Sequence, residues 1–332
     1  MNKLIASSCL ALGLLCGPSI VSAAECGSLT IASMNWQSAE VLSNLDKIIL
    51  NDGYGCDASV TVGDTVPTIT SMAEKGEPDI APEAWLTMLP VVVQKGIDDG
   101  KMVTAAKALP EGGVNGWWIP KYIADAHPDI KTIGDALKHP DLFPDPEDSS
   151  KGAVYNGPQG WGATVITANL YKAYKAKDAG FNLIDSGSAA GLDAAIAKAY
   201  ESKKGWLGFY WAPTALLGKY EMVRLDFGVP YDADAWKCVT VEGCADPKPS
   251  AWPVDNIFTL VSTKASKKLG PDVMDYLNKR AWSNDTVSKL LSWMTDNQAT
   301  GEDGAKHFLK ENPDQWTKWV SADAAAKIKA SL

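Results

Sequence analysis

The chain has 332 residues, 46% of them apolar, with 40 acidic against 31 basic side chains and a formal net charge of −9. That is enough for one large globular unit or for two lobes with separate cores. The acidic balance, with no basic stripe to offset it, excludes a surface built to hold nucleic acid or anionic lipid.

Residues 1–24 read as an export leader. Lys3 is the positive start, "LIASSCLALGLLCG" the apolar run and "SIVSAAE" the small-residue cleavage site, with the cut after Ala23 or Ala24. The run is too short and too rich in Ser, Cys and Gly for a membrane span, and the bulky Leu15 before Cys16 argues against a lipid anchor. The mature protein is expected free in the periplasm. Cys9 and Cys16 would leave with the leader, while Cys26, Cys56, Cys238 and Cys244 would remain in an oxidising compartment. Three pairings are possible. Cys26–Cys56 is favoured because the two residues open strands expected to be adjacent, and Cys238–Cys244 because it pinches the short loop "CVTVEGC". The rival, a zinc site, lacks CxxC spacing and a nearby His.

"SLTIASMNW" predicts a strand, "QSAEVLSNLDKIILNDGYG" a helix ending at glycine, "DASVTVGD" a second strand, "TVPTITSMAEKG" a helix and "PDIAPEAW" a third strand. Such alternation predicts a parallel sheet with crossover helices, which holds ligands beyond the C-terminal strand ends, where Asn35, Trp36, Asp64 and Trp85 would lie. After the crossing segment "EGGVNGWWIPKY" the pattern restarts. "KTIGDALKHPDLF" reads as a helix, "GAVYNG" as a strand, and "WGATVITANLYKAYKA" and "GLDAAIAKAYESKKG" as helices. "WLGFYWAP" follows as a strand. "AWPVDNIFTLVSTKAS" crosses back, and helices follow at "GPDVMDYLNKRAW", "NDTVSKLLSWM" and "NPDQWTKWVSADAAAKIKASL". The organisation expected is two α/β lobes joined by two strands: residues 25–117 with 254–332 as a discontinuous first lobe, and 118–253 as the second.

No GxSxG elbow, Walker loop, GxGxxG or HExxH is present, and His127, His139 and His307 are scattered. The acidic turn with Asp145, Glu147 and Asp148 has hard oxygens clustered as a calcium loop would, but lacks the alternation of an EF-hand, so a solvated turn is the preferred reading. No cofactor is expected and catalysis has no positive support.

The chain has 13 Trp against 6 Phe. Trp282, Trp293, Trp316 and Trp319 lie in helical patterns and suit the core. Trp236 and Trp252 flank the small disulfide loop, and Trp206 starts a strand. Trp85 and Trp211 end predicted strands and Trp161 begins a helix in "GPQGWGA", all at the rim where such a sheet binds ligands. Trp117 and Trp118 occupy the first crossing, so at least one is expected to line the cleft. A Trp face attracts a cation by about 0.5–1 kcal/mol when exposed and about 2 kcal/mol or more when desolvated, and a methylated nitrogen has no N–H to give to an ordinary acceptor.

The segments "PDIAPEAWLTMLP", "NGWWIPKYIADAHPDIKTIGDAL", "YNGPQGWGA", "GFYWAPTALLGKYEMVRL" and "PVDNIFTLVSTKAS" resemble the substrate-binding proteins of ABC importers for quaternary amines, the glycine betaine/proline betaine group. The resemblance covers nearly the whole mature chain and implies a two-lobed type II periplasmic binding protein with a cleft between lobes. It also implies an aromatic box of Trp85, Trp161 and Trp211 that closes when the lobes meet. Family members hold a ligand carboxylate with backbone amides, here those of Trp161 and Gly162, and with a His after the Trp85 position. In this chain Thr87, Met88 and Leu89 follow Trp85, so the His is missing. Glu83 shares a strand face with Trp85; ionised, it would favour a cation such as choline, and protonated it could donate to an N-oxide oxygen. The alternative is that it pairs with a cation bridging the lobes. Trimethylamine N-oxide, choline and glycine betaine all remain open as ligands. The partners implied are that small amine and a membrane permease, with the protein a monomer. A sugar- or amino-acid-binding relative of the same fold and a secreted carbohydrate-active enzyme are the competing readings.

Overall fold

The computed structural model describes residues 26–332, and the expected leader lies outside the described residues. Nine strands build the sheet: β1 (Ser28–Met34), β2 (Asp57–Gly63), β3 (Ile80–Trp85), β4 (Met102–Pro120), β5 (Gly152–Asn156), β6 (Phe181–Asp185), β7 (Gly208–Ala212), β8 (Met222–Arg224) and β9 (Asp255–Ser262). Their order is β2-β1-β3-β9-β4-β7-β5-β6, with β8 paired to β4.

The expected crossover units are present. β1 runs parallel to β2 and β3, and β5 runs parallel to β6 and β7. The helix Gln37–Ile48 forms because Val41, Leu42 and Leu45 recur at helical spacing and pack inward. The helix Thr65–Lys75 stops at Gly76, whose left-handed backbone an L side chain would resist.

The sheet is mixed, which corrects the expectation of a parallel one: β9 is antiparallel to β3 and β4, and β4 is antiparallel to β7 and β8. The cause is the connectivity, since a strand returning from the second half of the molecule enters the first sheet against its direction. β4 makes the junction itself. Its residues up to Gly113 pair with β9, and from Val114 onward they pair with β7.

A second correction concerns "KTIGDALKHPDLF". It forms only the short helix Ile133–Ala136, held by a capping box between Thr132 and Asp135, and a single turn at Pro140–Leu142. Pro140 cannot continue a helix begun so close before it. Strands β6 and β8 and the helix Gly301–Glu311 were not foreseen.

Both favoured disulfides are formed. Cys26–Cys56 ties the starts of β1 and β2, and Cys238–Cys244 closes the loop behind the helix Ala233–Val239. Among the described residues no helix is long and apolar enough to cross a membrane.

Candidate functional site

Four tryptophans meet where the two halves of the sheet face each other. Trp36 follows β1, Trp85 ends β3, Trp161 precedes the helix Gly162–Ala173 and Trp211 lies on β7. Trp161 stands edge-on to Trp36 at 5.4 Å and to Trp211 at 5.2 Å. With Trp85, Asn115 and Phe209 these rings line a cavity of about 20 Å³, room for a single water. A trimethylated nitrogen needs the rings to part. Trp36 and Trp211 also line a wider cleft of about 540 Å³, bounded by Asp193, Tyr210 and Lys219, so the two rings partition the inner cavity from that cleft.

Each ring is held from behind. Glu83 is buried, and its Oε1 accepts hydrogen bonds from Trp36 Nε1 at 2.7 Å, Ser38 Oγ at 2.9 Å and Trp85 Nε1 at 3.1 Å. Burial pushes the Glu83 carboxyl up from its usual range, against the pull of those three donors and of nearby Arg280. The lobe-bridging cation offered as an alternative partner is not what Glu83 bonds. Trp161 donates to Asn35 Oδ1. Trp211 rests on Phe209, stacked at 5.9 Å.

Two glycines make the approach possible. A Cβ on Gly113 would lie 2.1 Å from the Trp85 ring, and a Cβ on Gly162 would lie 2.8 Å from Met88 Cβ. A side chain at Gly113 would displace the Trp85 ring, and one at Gly162 would press on Met88 beside the cavity. Three hydrogen bonds join the two halves around the rings: Val66 N–H to the Gly160 carbonyl at 2.9 Å, Trp236 Nε1 to the Thr87 carbonyl at 2.9 Å, and the Trp161–Asn35 bond.

Of the residues singled out from sequence, Trp36, Trp85, Trp161 and Trp211 come together around the cavity, with Glu83 behind two of them and Gly162 at its edge. Trp117 and Trp118 do not line it. Trp117 is fully buried beside Tyr174, and Trp118 donates to the Tyr210 carbonyl at 2.9 Å. The reason is strand geometry: Asn115 faces the cavity, Trp117 sits two residues or about 7 Å further along the same face, and Trp118 points the other way.

Asp145, Glu147 and Asp148 do not converge as a calcium ligand set. Asp145 accepts from the backbone N–H groups of Glu147 and Asp148 and from Asn182, while Asp148 binds Ser150. Among the described residues no group of three acidic, His or Cys side chains is placed to hold a metal ion. The residue that sequence reasoning missed is Asn115. Its only signal was an amide in the otherwise apolar and Gly-rich "GGVNGWW".

Two lobes sharing a mixed sheet, with a cavity clamped between them, define the two-lobed periplasmic binding protein fold. The chain superposes on an ABC-transporter choline binding protein in complex with choline with a TM-score of 0.72, covering 92% of this chain and 98% of that one at 19% identity. The chain belongs to the family described as the substrate binding domain of the ABC-type glycine betaine transport system, whose model matches residues 27–311. It is similar to a trimethylamine N-oxide-binding protein of Pelagibacter ubique (strain HTCC1062), 24% identical over 303 residues, 88% of this chain and 90% of that one. It is also 26% identical over 169 residues to a glycine betaine/carnitine transport binding protein of Listeria monocytogenes serotype 1/2a (strain 10403S). That match spans 51% of this chain and about half (48%) of the relative.

Proposed function

We propose that this protein captures a small trimethylated amine between its lobes, in a cage of Trp36, Trp85, Trp161 and Trp211, and delivers it from the periplasm to an ABC permease without chemical change. The observation that carries this reading is the convergence of four indoles, two from each half of the sheet, on one cavity. Ring faces attract a cation through their quadrupoles, and several desolvated faces acting together supply the roughly −8 kcal/mol of micromolar binding. Glu83 fixes the tilt of Trp36 and Trp85 through their N–H groups and, when ionised, adds negative charge behind both rings. The Gly162 N–H at the helix start suits the carboxylate of a longer ligand such as glycine betaine, while the Trp161 N–H already donates to the Pro158 carbonyl at 3.4 Å.

We take the lobes as 25–117 with 254–332, and 118–253. The change of partner along β4 supports moving the first boundary to Gly113. Opening at that junction and at β9 would part Trp36 and Trp85 from Trp161 and Trp211 and admit the ligand. Export by residues 1–24 and a monomeric state belong to the same proposal.

Titration calorimetry with trimethylamine N-oxide, glycine betaine, choline, carnitine, dimethylsulfoniopropionate and proline tests it. At least one methylated amine is expected to bind near micromolar, and no binding by any of them would sink the reading.

A further inference from the structure

We propose that the side-chain amide of Asn115 is the group that reads the ligand's oxygen, and that it tunes the cage toward an amine N-oxide, where that oxygen sits directly on the caged nitrogen. The inference rests on reading the tryptophan cavity as a cation cage.

Asn115 is fully buried in the middle of β4, and neither its Nδ2 nor its Oδ1 has a hydrogen-bond partner among the described residues. Its backbone is served, since its carbonyl accepts from Arg224 at 3.1 Å, so the unmet need belongs to the side chain alone. A buried amide left in this state weakens a fold, and native proteins keep few of them. This one lines the tryptophan cavity.

Three of the four rings cannot do the same work. The N–H groups of Trp36 and Trp85 are committed to Glu83, and that of Trp161 to Asn35. These three rings offer a ligand their π surfaces, which suit methyl groups on a cationic nitrogen and repel an oxygen. Asn115 supplies a donor that is buried at the cavity and committed to no other group among the described residues.

Register then sets how far from the nitrogen that oxygen lies. Asn115 is the direct partner of Trp211 in the antiparallel β4–β7 pair, and side chains so paired start about 5 Å apart on one face of the sheet. The amide is therefore level with the Trp211 ring and not beyond it. An oxygen bonded to the caged nitrogen lies within its reach, whereas a hydroxyl or carboxylate at the end of a carbon spacer projects past it.

The test compares trimethylamine N-oxide with tetramethylammonium, in which a methyl group replaces the oxygen, by calorimetry on the mature protein and on Asn115→Leu. The mature protein is expected to prefer the N-oxide by about tenfold or more. In Asn115→Leu the N-oxide is expected to lose about tenfold or more while tetramethylammonium changes by less than about threefold. The ligand-free melting temperature of the variant is expected to rise, because a side chain of similar size replaces an unpaired amide. A merely structural role would lower stability and weaken both ligands alike. Equal losses for the two ligands, or no loss for the N-oxide, overturn the inference while leaving the cage standing. Failure of the mature protein to bind either of them, glycine betaine or choline overturns the cage and the inference together. Asn115→Ala carries the same comparison should Asn115→Leu not fold.

Discussion

Asp46 and Glu83 are both fully buried carboxylates near Arg280, yet they serve different ends. Asp46, on the helix Gln37–Ile48, meets the Arg280 Nε at 2.6 Å and accepts from the Tyr276 hydroxyl, while Arg280 also donates to Thr259 at 2.6 Å. That cluster neutralises its own charge and joins the helix Pro271–Lys279 to β9 and the first helix. Glu83 takes no direct cation and spends one oxygen on a serine and two indoles, leaving its Oε2 without a partner among the described residues. The difference lies in the partners: Asp46 touches a cation whereas Glu83 meets only neutral donors, and each keeps one oxygen, Asp46 Oδ2 and Glu83 Oε2, without a hydrogen-bond partner among the described residues.

The largest effect expected comes from breaking the buried Asp46–Arg280 ion pair. Asp46→Asn strands a buried guanidinium and is expected to cost about 4 kcal/mol in urea unfolding, with ligand affinity per folded molecule unchanged. If affinity fell in step with stability, the two carboxylates would not be separable as drawn.

Asp255 lies between the two regimes. It starts β9, accepts from the Thr87 N–H at 3.0 Å, and is pushed by burial to about 7. Its folded value stands above its unfolded one, so between about pH 4 and pH 7 the unfolded chain releases this proton and the folded chain keeps it. Stability is therefore fully retained below pH 4 and lost as pH rises through 7, at roughly 1 kcal/mol per pH unit from this group. Asp255→Asn is expected to flatten that slope in melts taken across the range. An unchanged slope would place its origin elsewhere.

In the cage, Trp161→Ala is expected to weaken binding of a trimethylated amine by about 2 kcal/mol, read by calorimetry. A loss indistinguishable from zero would remove Trp161 from the cage. The smallest effect, about 1 kcal/mol, is expected for Glu83→Gln with tetramethylammonium. Burial raises the Glu83 carboxyl, so the unmodified protein should bind this cation more tightly as pH rises and the carboxyl ionises, while Glu83→Gln stays flat. Identical pH profiles would leave Glu83 as a ring support without an electrostatic part.

That Trp85, Trp161 and Trp211 would lie at the rim of the sheet was legible in the sequence because strand ends and a Gly-marked helix start place them there, and sheets of this kind bind ligands at those ends; Trp36 was read only as a residue beyond the end of β1. Trp117 and Trp118 were misread for a related reason. A long crossing strand carries no mark of which residue meets the cavity, and a shift of one position exchanges its faces.

Strand–helix alternation, cysteine spacing and local punctuation depend on neighbours in the chain. They determined the α/β class, the two disulfides and the residues able to form an aromatic cage. The antiparallel return of β9, the register of β4 against β7 and the placing of Asn115 between the indoles depend on segments far apart in the chain. Only the tertiary structure could decide them, because a strand's partner and register follow from which burial is most favourable across the whole sheet, and no local pattern contains that sum.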